Sequence, residues 1–164
     1  MSNNNYITKL LNLKEENIDF YNVEKEIIKN IETTVIYGKL INKPEICPCC
    51  GGKSINVHGY KESIIKIMPI SGYNALLKLK KQRYKCKSCQ KTFIAKTNLV
   101  EKNCYISKDV KNMAAILATN KISEKDIGKQ LNISHNTVNR VINSYYENHK
   151  INFNYKKQIR VIKC

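Results

Sequence analysis

Two Cys-x-x-Cys pairs, Cys47–Cys50 and Cys86–Cys89, constrain this 164-residue chain more than any other feature. Four thiolates in two paired knuckles complete the tetrahedral shell of a structural zinc ion and leave no position for a catalytic water. The first knuckle reads Cys47-Pro48-Cys49-Cys50-Gly51, where Pro and Gly favour a tight turn that can wrap a metal. Of its three cysteines, the two-residue spacing and the following Gly51 select Cys47 and Cys50, leaving Cys49 a spectator. The segment between the pairs, residues 51–85, is longer than compact zinc-finger spacing. It is expected to fold as its own hairpin or sheet, as in a zinc ribbon with an extended insertion. His58 is a rival fourth ligand that four thiolates make unnecessary, and it reads as a sheet-surface or phosphate-contacting residue. Cys104 and Cys164 read as unligated thiols.

The formal net charge of +16 is unevenly spread. Residues 1–40 carry 5 basic and 6 acidic side chains, residues 41–106 carry 13 and 3, and residues 107–164 carry 11 and 4. Lys78, Lys80, Lys81, Arg83, Lys85, Lys87 and Lys91 crowd the second knuckle. A closed metal module under so much positive charge reads as a polyanion binder, which points to nucleic acid and, with the helix-turn-helix read below, to double-stranded DNA. The N-terminus has no charged region followed by an apolar core, and no apolar run approaches the roughly 18 residues of a membrane span. No membrane is therefore expected among the partners. The expected compartment is a reducing cytoplasm, at the nucleoid, where paired cysteines bind metal more often than they cross-link. A thioredoxin-like redox role for one pair lacks the βαβ surroundings it needs.

The fold class expected is α+β, in four segments. Residues 1–40 form an N-terminal segment with an apolar patch at Leu10-Leu11-Asn12-Leu13 and one strand at Thr33–Leu40. Residues 41–100 form the zinc-binding β module, with strand-like runs at Ile55–Tyr60, Ser63–Met68 and Ala75–Lys80. In the last run, alternation puts Lys78 and Lys80 on one face and Leu77 and Leu79 on the other. The alternation then shifts by one residue. A bulge near Lys81 would restore a single cationic face and return Tyr84 to the apolar side. Lys78, Lys80, Lys81 and Arg83 are the expected phosphate contacts of this module. Tyr60, Tyr73 and Tyr84 read as half-buried packing residues in preference to a stacking platform for single-stranded bases.

Residues 107–147 read as a helix-turn-helix, and residues 148–164 as a C-terminal tail. Ser107 caps a helix carrying Val110, Met113, Ala114 and Leu117 and ending near Asn120. Ser123, with Asp126 in a shortened capping box, opens a second helix that buries Ile127 and Leu131. Asn132 takes the left-handed conformation that ends it, and Ile133 plugs the turn. Ser134 caps a third helix whose inner face is Val138, Val141, Ile142 and Tyr145. Gly128 is small where the two helices touch. The competing reading is an ordinary three-helix bundle. In the DNA-binding reading the third helix lies in the major groove and offers His135, Asn136, Asn139 and Arg140 to base edges.

In order, Cys47-Pro48-Cys49-Cys50-Gly51, Ile67–Tyr73, Leu77–Cys89, Lys91-Thr92-Phe93, Lys102-Asn103-Cys104 and the helix-turn-helix at Ile122–Ile142 resemble the N-terminal part of insertion-sequence transposases of the ISL-three type. The resemblance covers roughly residues 6–147. It implies a zinc module and a helix-turn-helix that grip the terminal inverted repeats of a mobile element, followed by an RNase H-like domain with an Asp-Asp-Glu triad. Asn148–Cys164 has no side-chain carboxylate, and no catalytic residue is assigned anywhere in the chain. The expectation is the DNA-binding half of a transposase, inactive alone, acting as a homo-oligomer or beside an intact transposase. The alternatives are a stand-alone zinc-containing transcription regulator, a transposition inhibitor, or one chain of a transposase whose catalytic domain lies in a separate polypeptide.

Overall fold

The computed structural model describes residues 17–42 and 44–148, together with Ile7 and Glu15. Its first body is a sheet of five strands, β1 (Ile18–Ile28), β2 (Ile31–Leu40), β3 (Ile55–Ile70), β4 (Tyr73–Cys86) and β5 (Thr92–Ile94). The order is β1-β2-β4-β3, with β5 also on β4. Two antiparallel hairpins, β1–β2 and β3–β4, meet along a parallel pairing of β2 with β4. Both hairpins close with two residues at positive φ, Lys29-Asn30 and Ser71-Gly72. That backbone twist matches the twist of the strands it joins.

The N-terminal segment holds two strands where the sequence reading expected one, and both belong to the sheet of the zinc module. β1 escaped notice because its middle, Glu24, Lys25 and Glu26, is charged, as suits an edge strand that must not pair with another chain. The Leu10–Leu13 patch and Cys164 lie outside the described residues. The two expected runs at Ile55–Tyr60 and Ser63–Met68 are one 16-residue strand broken by two bulges. One extra residue falls at His58–Gly59, where Gly59 adopts φ +88°, and another at Met68–Pro69. Proline fits there because a bulge releases one ladder position from donating.

The expected bulge near Lys81 is not on β4. The β2–β4 register runs unbroken from Asn74 to Lys81, and the extra residue sits on β3 opposite Arg83. β4 instead exchanges its buried side. Ala75, Leu77 and Leu79 are buried in its first half, and Tyr84 and Cys86 in its second. The first set packs with Phe20, Ile36, Ile65 and Ile67 under a cover that includes Ala95, Leu99 and Val100. Tyr84 is covered by the chain after β2, donating its hydroxyl to the Asn42 carbonyl at 2.8 Å, and by Phe93 of β5, whose ring stacks at 5.7 Å. By strand alternation, the row of Leu77 and Leu79 therefore continues outward as Lys81, Arg83 and Lys85.

Three helices follow: α1 (Lys108–Thr119), α2 (Glu124–Gln130) and α3 (His135–Asn148). The three caps stand where the sequence places them. The hydroxyls of Ser107, Ser123 and Ser134 accept from the amides of Val110, Asp126 and Thr137. Val110, Ala114, Ile127, Leu131, Ile133 and Val138 form a second core, which Met68 of β3 joins. Tyr145 was expected on the inner face and is 43% exposed; its ring meets Tyr146 edge-on instead. No helix among the described residues is long and apolar enough to cross a membrane.

Lys66 of β3 joins the two bodies. Its amide donates to the Tyr105 carbonyl at 2.8 Å, and its carbonyl accepts from Ser107, the cap of α1, at 2.9 Å. Its ammonium donates to the Asn132 carbonyl in the turn before α3. The sheet thus holds both the start of the helical body and its turn.

Candidate metal centre and nucleic-acid interface

Each knuckle follows from local backbone chemistry. Gly51 adopts φ +72°, and its amide donates to the Cys47 carbonyl at 2.9 Å, while the Cys47 amide donates to the Gly52 carbonyl at 2.9 Å. In the second knuckle Gln90 takes the corresponding left-handed place at φ +58°, and the Cys86 amide donates to the Lys91 carbonyl at 3.0 Å. These turns aim amides at sulfur: the Cys49 N–H donates to Cys47 Sγ at 3.4 Å. The strands β3 and β4 bring the two turns together.

The four Sγ atoms of Cys47, Cys50, Cys86 and Cys89 lie within 4.8 Å of one another. Cys47 faces Cys89 at 3.7 Å, and Cys50 faces Cys86 at 3.7 Å. A tetrahedron of Zn–S bonds of about 2.3 Å has edges of about 3.8 Å, so the two 3.7 Å pairs stand at coordination spacing and the remaining separations exceed it by no more than about 1 Å. Electrostatics agree. The Cys89 amide pulls the Cys86 thiol down to about 6, and the Cys49 amide lowers Cys47. The Gly52 amide pulls Cys50 down as well, but the thiols of Cys89 and Cys86 beside it push it up to about 12. Some sulfurs ionise readily while a neighbour holds the proton, which is what a dication would displace. His58 lies outside this group, and Cys49 stays exposed.

The helical body has the geometry of a tight helix–turn–helix. The Ile133 amide donates to the Gly128 carbonyl at 2.9 Å, and a Cβ on Gly128 would lie 2.7 Å from the Ile133 oxygen. Asn132 takes φ +53° between them. This compact turn leaves His135, Asn136, Asn139 and Arg140 exposed on the first turns of α3, while Val138 is fully buried behind them.

Residues 43–89 match the family described as zinc-finger of transposase IS204/IS1001/IS1096/IS1165, and residues 95–146 match the helix-turn-helix domain of transposase family ISL3. The chain belongs to the ISL3 transposase family. No curated protein and no solved structure matches it. The ISL3 zinc ribbon and its four clustered cysteines establish zinc as the metal, and the two domains mark DNA binding in a transposase setting.

Within this ISL3 scaffold the expected ribbon contacts divide. Lys78 and Lys80 share one face, and by alternation Lys81 and Arg83 point to the other. Lys78 is already paired. Its ammonium lies 2.8 and 3.1 Å from the Glu26 carboxylate oxygens and 3.2 Å from the Tyr37 hydroxyl, and Glu26 holds its pKa up to about 12. Lys80 is exposed above the Tyr21 ring at 5.4 Å. Lys81 is half-buried, and desolvation lowers its pKa. Arg83 is exposed and donates to the Thr92 hydroxyl at 3.3 Å.

On α3 the side chains are partly oriented by neighbours. Asn139 Nδ2 donates to Glu124 at 2.9 Å, and its Oδ1 accepts from Asn143 at 2.8 Å. Arg140 lies along its own helix, 3.4 Å from the Asn136 carbonyl and the Thr137 hydroxyl. Neither the Glu124–Asn139 contact nor the Lys66–Asn132 contact was read from sequence. Each joins residues of different elements, beyond the reach of any local spacing rule.

Proposed function

We propose that this chain binds double-stranded DNA sequence-specifically, as the part of a transposase that recognises terminal inverted repeats. The zinc ribbon grips phosphates, and α3 enters the major groove. The observation that carries this reading is the exposed row His135, Asn136, Asn139 and Arg140 on an α3 whose turn is tied to the sheet through Lys66. Asn and Arg are the side chains suited to bidentate contact with adenine and guanine. A rigid joint lets phosphate contacts on the sheet set the register in which those residues meet bases.

Selection from duplexes with a randomised segment tests the proposal. Enrichment of one site is the expected result, and its mapping to the ends of a mobile element supports the inverted-repeat reading over a promoter regulator. If about six phosphates are neutralised, log K falls with log salt at a slope of roughly −5. Asn136→Ala or Arg140→Ala costs about 1–3 kcal/mol on the selected site and little on a scrambled one. Failure to enrich any sequence would sink the reading. The polypeptide alone is expected to retard the duplex without cutting it in magnesium or manganese. A two-metal cut needs carboxylates holding ions about 4 Å apart. Among the described residues, the four cysteines are the one group of three or more metal-binding side chains that comes together.

A further inference from the structure

The outward row on β4 leads to a depression beside the second knuckle. Asn56, Lys85, Cys86, Lys87 and Gln90 line an open hollow of about 200 Å³. Its walls are fixed by backbone bonds. Asn56 pairs directly with Lys85 across the β3–β4 ladder, so both side chains rise from the same face. Beyond the end of β4 the Lys87 amide donates to the Ser54 carbonyl at 2.9 Å, which keeps Lys87 in line with Lys85. Gln90, turned back by its left-handed backbone, donates from Nε2 to the Lys87 carbonyl at 2.6 Å and closes the rim.

The exposed groups of this hollow are cationic or neutral, and the one sulfur in its lining, Cys86, is buried and turned to Cys50 in the metal centre. Two ammonium groups and two carboxamides line it, with no carboxylate among them. None of the ion pairs among the described residues engages Lys85 or Lys87. Lys78, by contrast, is closed off by Glu26. A concave site with paired cations and neutral donors suits a tetrahedral oxyanion with several acceptor oxygens.

We propose that this hollow is a phosphodiester site, which takes one phosphate of a DNA backbone between Lys85 and Lys87 with Asn56 as a neutral donor. The proposal rests on the reading that the chain binds duplex DNA. It moves the ribbon's grip from the middle of β4 to its knuckle end.

The test uses the zinc-loaded full chain and two fluorescent duplexes, the selected site and a scrambled one. The double variant Lys85→Ala/Lys87→Ala should weaken binding to both duplexes by the same factor. Its plot of log K against log salt should be shallower by about 0.9, the contribution of one phosphate. Lys85→Arg/Lys87→Arg should restore the slope, and Lys78→Ala should leave it unchanged. Zinc stoichiometry verifies each variant. Should the double variant lose zinc, Lys87→Gln, which lies outside β4, reads the same slope. An unchanged slope in a zinc-loaded variant, or an equal loss from Lys78→Ala, overturns the site while leaving DNA binding intact. A wild-type chain that binds neither duplex overturns the DNA-binding reading and the site with it.

Discussion

Gly128 shows how one missing methyl sets the angle at which α3 is presented. A Cβ there would lie 2.7 Å from the Ile133 oxygen and 3.4 Å from the His135 amide, both backbone atoms of the turn that cannot swing away as a side chain could. Gly128→Ala should therefore destabilise the helical body by about 1–3 kcal/mol, as overpacking does, measured by urea unfolding followed through helical circular dichroism. Unchanged stability would mean that the turn is looser than these contacts imply. The cysteines make the second prediction at this scale. Cys86→Ser should abolish stoichiometric zinc, because its sulfur is buried and faces Cys50 at 3.7 Å. Cys49→Ser should keep zinc, because that thiol is exposed and contributes only its amide to the knuckle. Equal loss in both would sink the ligand assignment. These residues were legible in the sequence because their roles are local. A knuckle needs two residues between cysteines, and each serine cap reaches an amide three positions on, so spacing alone carries the information.

Elements were legible when their burial was one-sided along their length, and illegible when it was not. α1 and α2 keep one apolar stripe from end to end, and the sequence reading placed both. β4 exchanges its buried side between Leu79 and Tyr84, where the Asn42 carbonyl and the Phe93 ring meet Tyr84. The shift in alternation after Lys80 is legible in the sequence, but the bulge beside it lies on β3, opposite Arg83, and not on β4. β1 alternates only at its start, at Ile18 and Phe20, and nothing within the strand announces that Glu26 will pair with Lys78, 52 positions away. The joint between sheet and helices belongs to the same class. Lys66 occupies a strand position where a cation would ordinarily seek solvent, yet its ammonium donates to Asn132 and burial lowers its pKa. Lys66→Met should keep the methylene packing while leaving the Asn132 carbonyl without its donor. The expected cost is about 1–3 kcal/mol. The informative readout is DNA binding: discrimination between selected and scrambled duplex should fall while zinc content stays at one per chain. A variant that discriminates as well as the wild type would show that α3 does not depend on the sheet for its placement.

At the scale of the whole molecule, the sheet is held at two ends by different forces. At one end Phe20, Ile36, Ile65, Leu77 and Leu79 form an apolar core with the chain at Ala95–Val100. At the other end Cys47 and Cys86 are buried beside Cys50 and Cys89 and stand outside that core, which reaches this end through Tyr84 with Ile55 and Phe93 packed against it. In small zinc modules the metal contributes roughly 10–16 kcal/mol of apparent folding free energy, because nothing else holds the fold. Taken from the sequence alone, a zinc-binding module over residues 41–100 is expected to unfold as a whole on chelation. The parallel pairing of β2 with β4 changes that expectation, since it anchors the first half of β4 to a core that contains no metal ligand. Chelation should therefore open the knuckle end alone. In hydrogen exchange, the amides of residues 47–56 and 84–94 should lose protection on zinc removal, while those of Ile65, Leu77 and Leu79 and of α1 keep theirs. Duplex binding should weaken at the same time, because Lys85 and Lys87 stand on the part that opens. Uniform loss of protection across β2, β4 and α1 would show that the metal holds the entire sheet. No loss anywhere would show that the knuckles are stable as thiols.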